Sequence, residues 1–210
     1  MLIGLIIVIV LMVIGSLVFI FWDKIKLLSE KKNFEKKVGA KVYQIAIDND
    51  YYCINQVALK IDTKIIHFDH ILFTNKFIYC IGKKYLPNPV SGKFEDNQWF
   101  EYQNNGHIEH IKNPLIIPKV RVEYLRGALR ANDDLFVSVV VVNDSCLIDK
   151  IDNCPVNQRI MNLKDFKDFI AKREKMDIPS IDPLQEETLV QNIYKRSVKT
   201  KQMESKNENK

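Results

Sequence analysis

Residues Leu2 to Trp22 read LIGLIIVIVLMVIGSLVFIFW, a run without a single charged side chain. At 1.5 Å per residue, about 20 such residues cross a hydrocarbon core of roughly 30 Å. A helix lying on a water-soluble core would show a polar face over that length, and this stretch has none. A cleavable signal peptide would open on a basic segment and close on a small-residue cleavage site, and neither precedes Asp23. The segment is therefore expected to be an uncleaved transmembrane helix that meets the lipid bilayer through residues 2–22.

The flanks give the expected orientation. Lys24, Lys26, Lys31, Lys32, Lys36 and Lys37 all follow the run, while only the Met1 amine precedes it. Basic residues close to a span stay in the cytoplasm, so the rest of the chain is expected on the cytoplasmic side of the cell membrane as the domain of a single-pass protein. Phe21 and Trp22 sit where interfacial aromatic anchors lie. Cys53, Cys80, Cys146 and Cys154 form no CxxC pair, which suits thiols in a reducing compartment rather than a disulfide framework. The formal net charge of +5 falls entirely outside the apolar run. An excess of that sign suits anionic lipid headgroups or nucleic acid.

Beyond the run, Leu27, Phe34, Val38, Val42 and Ile45 recur at helical spacing, predicting an amphipathic helix to about Ile47 that leads straight from the membrane into the domain. Tyr51–Ala58, Phe68–Thr74 and Phe77–Ile81 are β-branched or aromatic runs of strand length, the last two joined across Asn75 and Lys76 as a hairpin with Phe73 opposite Ile78. Gln98–Tyr102 reads as an edge strand. Pro114 and Pro118 followed by Val122, Leu125 and Leu129 predict a helix beginning near Pro118. Leu135–Val142 is apolar on both faces, as a doubly covered central strand would be. Asn162–Lys172 predicts a short helix capped by Asn162, with Asp165 at its third position. Strands alternating with helices define one α/β domain. The expected division is a transmembrane helix over 1–22, a juxtamembrane helical linker over 23–33, the α/β domain over 34–183, and a helical then disordered tail over 184–210. From Ser197 onward the tail holds too few large apolar groups to offset the entropy of ordering.

Two histidine pairs, His67 with His70 and His107 with His110, bring zinc to mind. Each pair is three residues apart rather than four, and on a strand its members point to opposite faces. Residues at strand and loop positions bonded to nearby backbone account for them without a metal. Tyr85, Phe94, Trp99 and Phe100 are candidates for stacking on bases, although aromatics at strand spacing also build cores.

A larger pattern runs through the middle of the chain. HFDHILFTNKFIYCIGKKY is followed by SGKF, by Gln98-Trp99 and by Asn113-Pro114-Leu115. In this order the pieces resemble the NERD (nuclease-related) domain family, over most of residues 34 to 173. The resemblance implies a restriction-endonuclease-like mixed sheet with flanking helices, and in such nucleases two or three carboxylates hold Mg²⁺ beside a lysine. Asp69 then matches the strand aspartate, as catalytic group and metal ligand, and Lys84 matches the lysine. The glutamate after the helix glycine falls on Ala40, following Gly39, and the glutamate of the ExK motif falls on Gly82. The polar positions of the NP-led helix fall on Ile117 and Arg121. One carboxylate holds Mg²⁺ poorly against its hydration shell, so the expectation is a nuclease-derived domain that has lost catalysis, needs no cofactor, and binds nucleic acid or a protein partner. The alternatives are an active Mg²⁺-dependent nuclease that draws on Glu35, Asp62, Glu95 or Asp96 as relocated ligands, and a structural membrane-associated scaffold. The hairpin across Asn75 and Lys76 is expected to bring Asp69 and Lys84 within contact range on adjacent strands of one sheet.

Overall fold

One helix, α1 (Leu2–Asn49), carries the chain from the apolar run into the domain without a break. The computed structural model describes the backbone of residues 2–149, 151 and 154–198, and the side chains of 21–149, 151 and 154–198. The expected anchor thus has most of its side chains outside the described residues; among the described residues no helix is long and apolar enough to cross a membrane. Phe34, Val38, Val42 and Ile45 are buried, as their spacing predicts. Leu27, expected on the same stripe, is 42% exposed. The sheet begins to bury α1 only at Phe34, so residues 23–33 form an exposed helical stalk roughly 16 Å long, tied to the domain where Glu30 accepts from the Tyr85 hydroxyl at 2.7 Å.

Five strands form the main sheet in the order β1-β2-β3-β7-β8: β1 (Tyr52–Ile61), β2 (Lys64–Phe73), β3 (Ile78–Lys84), β7 (Phe136–Val142) and β8 (Gln158–Asn162). The first three pair antiparallel, and β3, β7 and β8 pair parallel. The hairpin register places Phe73 opposite Ile78, as the Asn75-Lys76 turn predicts. Every residue of β7 is buried, which follows from its central place between β3 and β8 with layers on both faces.

Alternation sorts the strands' side chains into two cores. Leu72, Tyr79, Ile81, Val137, Val139 and Val141 pack against α1 and against α3 (Leu163–Glu174). Ile71, Phe73, Ile78, Cys80 and Phe136 pack on the other face against α2 (Ile116–Leu129), through Val122, Leu125 and Leu129. The second helix starts two residues before Pro118, which sits in the first turn where its missing N–H costs nothing. Asn162 does stand at the N-terminus of α3 but does not cap it. Its amide donates to the carbonyls of Asn143 and Cys146, tying the β7 exit to the helix, and Asp144 accepts from the Lys164 N–H instead.

The sequence-based boundary at residue 183 cuts through a packed element. Helix α4 (Pro183–Arg196) starts with Asp182 accepting from the N–H groups of Leu184 and Gln185, and it buries Leu189 and Ile193 in the α2-side core. The chain then returns to β1, where Val198 N–H donates to the Ala58 carbonyl at 2.8 Å. Residues 199–210, expected to be disordered, lie outside the described residues.

Gln98–Tyr102 is a middle strand rather than an edge. As β5 it lies between β4 (Val90–Ser91) and β6 (Ile108–Lys112) in a second, three-stranded sheet. Its anchor is Trp99, fully buried, whose indole N–H donates to the Lys93 carbonyl at 2.9 Å. The indole lies flat on Gly92, where an added Cβ would fall 2.2 Å from its Cδ1, so only glycine fits. With Leu86, Val90, Leu115, Val140 and Val142, Trp99 forms the core that holds this small sheet to the end of β7.

Candidate functional site

The two ladders flanking β2 both open at one residue. On the β3 side, pairing ends at His70 opposite Ile81, leaving Asp69 across from Gly82. On the β1 side the register passes from Asn55–His70 to Val57–Phe68, and the intervening Gln56 has φ 48°, a conformation that L side chains adopt only at a cost. Asp69 therefore stands where the strands part. Its carboxylate faces α2, into a cleft of about 260 Å³ lined by Gly82, Lys83, Lys84, Lys112, Asn113, Pro114, Ile117, Pro118 and Arg121. One carboxylate and four cations share this lining, so the cleft suits an anion.

The NP segment shapes the far wall. Asn113 is buried; its amide donates to the carbonyls of Phe94 and Asp96, and its Oδ1 accepts from the Leu115 N–H. These bonds clamp the small sheet to the start of α2 and set Pro114, Ile117 and Arg121 in the wall of the Asp69 cleft. Gly82 is the floor. A Cβ there would meet Pro118 Cγ at 3.6 Å and the Val139 carbonyl at 3.9 Å, ordinary contacts, so the position is open to a larger side chain.

The cation that reaches Asp69 is Lys83, not Lys84. Lys83 Nζ lies 3.9 Å from Asp69 Oδ1 and 3.8 Å from Glu35 Oε2. By strand parity Lys83 belongs to the α1 face, and its long side chain reaches Asp69 around the open end of the ladder. Lys84 lines the same cleft as Asp69 from the α2 face, and the ion pair with Asp69 is made by its neighbour Lys83. Ala40 is exposed, whereas Glu35, one turn before Gly39, turns toward the sheet. Of the four carboxylates available by sequence, Glu35 alone is brought to Lys83. Asp62 sits in the β1–β2 turn with φ 53°, Glu95 lines a separate hollow beside α2, and Asp96 accepts from the Lys93 N–H.

These residues do not fit Mg²⁺. The ion needs oxygen ligands at about 2.0–2.1 Å in near-octahedral array, and here the Lys83 ammonium stands between the carboxylates of Asp69 and Glu35 and occupies the place where they could share a cation. Among the described residues no three His, Cys, Asp or Glu side chains converge on one point. His67 is exposed and His70 buried, on opposite faces of β2, while His107 and His110 are both exposed.

His70 lies beneath α1, with its Cε1 3.5 Å from where a Gly39 Cβ would stand. Its Nδ1 donates to Asn55 Oδ1 at 2.7 Å, and its Nε2 is buried without a hydrogen-bond partner in the protein. Burial holds its pKa down to about 4, with the Lys83 ammonium adding to that shift and Asp69 opposing it. Above about pH 6.5 the imidazole is neutral in folded and unfolded chains alike, and stability is unaffected. As pH falls toward 4 the unfolded chain takes up a proton that the buried ring refuses, and about 3 kcal/mol of stability is lost. Urea unfolding from pH 7 down to pH 4 is expected to show this loss in the native chain and not in His70→Asn; equal losses in both would place the shift elsewhere.

A mixed sheet between helical layers, with an aspartate where two ladders part and lysines on the next strand, defines the class: an α/β domain with a cationic cleft. A family model described as "Nuclease-related domain", or NERD, matches residues 30–143, more than half of the 210 residues, and the chain belongs to that family. No curated protein and no solved structure matches it significantly.

Sequence reasoning named Asp69, Lys84, Glu35 and Arg121, the last as a departure from the family pattern. It passed over Lys83 as a neighbour and did not weigh Lys112. Lys112 immediately precedes the NP pair, and that adjacency was the available signal.

Proposed function

We propose that this is a membrane-anchored NERD domain of restriction-endonuclease-like type that has lost phosphodiester cleavage and binds nucleic acid on the cytoplasmic side. The observation that carries the reading is the composition of the Asp69 cleft. Lys83, Lys84, Lys112 and Arg121 converge on one carboxylate, and Gly82 stands where the family pattern has a ligand glutamate. Such a cleft attracts phosphate oxygens, to which arginine offers a planar fork and lysine a compact charge. It lacks the oxygen ligands that a metal would need to activate water. The apolar run 2–22 and the one-sided lysines support the anchor and its orientation.

Binding of short labelled DNA and RNA to the full chain in detergent tests the reading. Affinity should fall steeply between about 50 and 200 mM salt, because each phosphate neutralised in the cleft releases a counterion. Binding that is absent, or indifferent to salt, would transfer the reading to a protein partner.

One observation favours a second reading, in which cleavage survives with a relocated ligand. Glu35 and Asp69 both contact Lys83, so movement of that side chain would leave two carboxylates near one point with no cation between them. Under this reading Glu35→Gln would abolish a metal-dependent activity; under the first there is none to abolish.

A further inference from the structure

The small sheet has an outer face that the cleft does not use. Along β5, alternation buries Trp99 and Glu101 and turns Gln98, Phe100 and Tyr102 outward. Their register partners on β6 are Lys112, His110 and Ile108. Phe100 is 40% exposed, Tyr102 42% and Ile108 49%. The Phe100 and His110 rings lie with centroids 4.9 Å apart, inclined at 58°. Tyr102 is fixed from β4, its hydroxyl sharing a 2.7 Å hydrogen bond with Ser91 Oγ. The result is a set of anchored flat rings on a rigid surface, open to solvent.

The charges on the two faces are segregated. Glu101 and Glu109 pair in register on the inner side, where Asn88 donates to Glu101. Among the strand residues that point outward, Lys112 carries the one formal charge and there is no carboxylate. Lys112 also lines the Asp69 cleft, and the chain passes directly from it through Asn113-Pro114 into α2. The ring-bearing face and the cationic cleft are therefore continuous.

We propose that the outer face of β4, β5 and β6 is a stacking platform for a single-stranded nucleic acid whose phosphates run on into the Asp69 cleft. Phe100 and Tyr102 each take one base, His110 backs the Phe100 ring, and Lys112 joins the platform to the cleft. Two rings at alternate positions of one strand stand roughly 7 Å apart, spaced for separate bases rather than for one. Every base has a π-face, so the platform tolerates sequence; a duplex keeps its bases stacked on one another and offers none. This inference rests on reading the cleft as a nucleic-acid site and adds to it the selection of unpaired strands.

The test uses the full chain in detergent, with fluorescence anisotropy of a short oligothymidylate and of a hairpin duplex of equal length. The native chain should prefer the single strand. Phe100→Ala with Tyr102→Ala should weaken single-strand binding at least about tenfold for each ring removed, and leave hairpin affinity and the salt slope unchanged. Phe100→Leu with Tyr102→Leu, which keeps apolar bulk and protects the fold, should weaken it to a similar degree, since leucine offers no π-face. Lys84→Ala should instead weaken both ligands and flatten the salt slope. If the ring variants bind the single strand as the native chain does, or if the native chain prefers the hairpin, the platform is overturned while the cleft stands. If the native chain binds neither ligand, the cleft reading fails and the platform with it.

Discussion

A chain carrying Lys84→Glu together with Arg121→Glu is expected to bind nucleic acid roughly 10²- to 10³-fold more weakly than the native chain at moderate salt. The two residues enter the cleft from different elements, β3 and α2, so the pair changes the field at Asp69 from cationic to anionic without touching one local segment alone. Lys84 is exposed and Arg121 half-buried, and neither belongs to the apolar cores, so the fold should survive; circular dichroism and a thermal melt check that it does. The salt slope should flatten along with the affinity, because fewer counterions are displaced. A double variant that binds as well as the native chain would place the binding surface away from Asp69.

Removal of residues 2–22 is expected to move the protein almost completely from the membrane fraction to the soluble one. Among the described side chains the buried face of α1 begins at Phe34, which the deletion keeps. What remains near the lipid is the lysine-rich stalk from Lys24 to Lys37, worth about 1 kcal/mol per well-placed lysine on an anionic surface, and high salt screens it. A reporter fused after Lys210 of the intact chain should read as cytoplasmic. Membrane retention of the deletion variant after a high-salt wash would mean that the domain itself has an apolar lipid contact.

The parts of the fold that could be read from the sequence are those in which one residue's environment is set by its own periodicity. Phe34, Val38, Val42 and Ile45 announce a helix face, and LFVSVVVV announces a strand covered on both sides. The Asn75-Lys76 turn fixes the β2–β3 register because a short hairpin leaves few alternatives. The second sheet was hidden because β4 has two residues, too few to alternate, and β6 buries none of its five, so no apolar face marks it. Helix α4 showed its stripe but not its partner, since amphipathicity does not say which surface covers it.

The candidate site was legible to the same extent and no further. Asp69 follows from the order of motifs, and so does the loss of a carboxylate at Gly82. Strand parity puts Lys83 on the far face from Asp69, and only the opening of the ladder lets its side chain come round. Glu35 depended on the rotational phase of α1 over the sheet, which turns Ala40 outward and Glu35 inward. Spacing along the chain does not carry that phase across to a different element.

On the function proposed, the cleft holds phosphate and does not cut it. Incubation of the purified full chain with labelled single- and double-stranded DNA and RNA, with Mg²⁺ or Mn²⁺ present, tests this most directly. Intact substrate is expected in every case, together with salt-sensitive binding that the Lys84→Glu, Arg121→Glu variant loses. Metal-dependent cleavage that disappears in Asp69→Asn would contradict it and assign Glu35, or a carboxylate outside the described residues, to the metal.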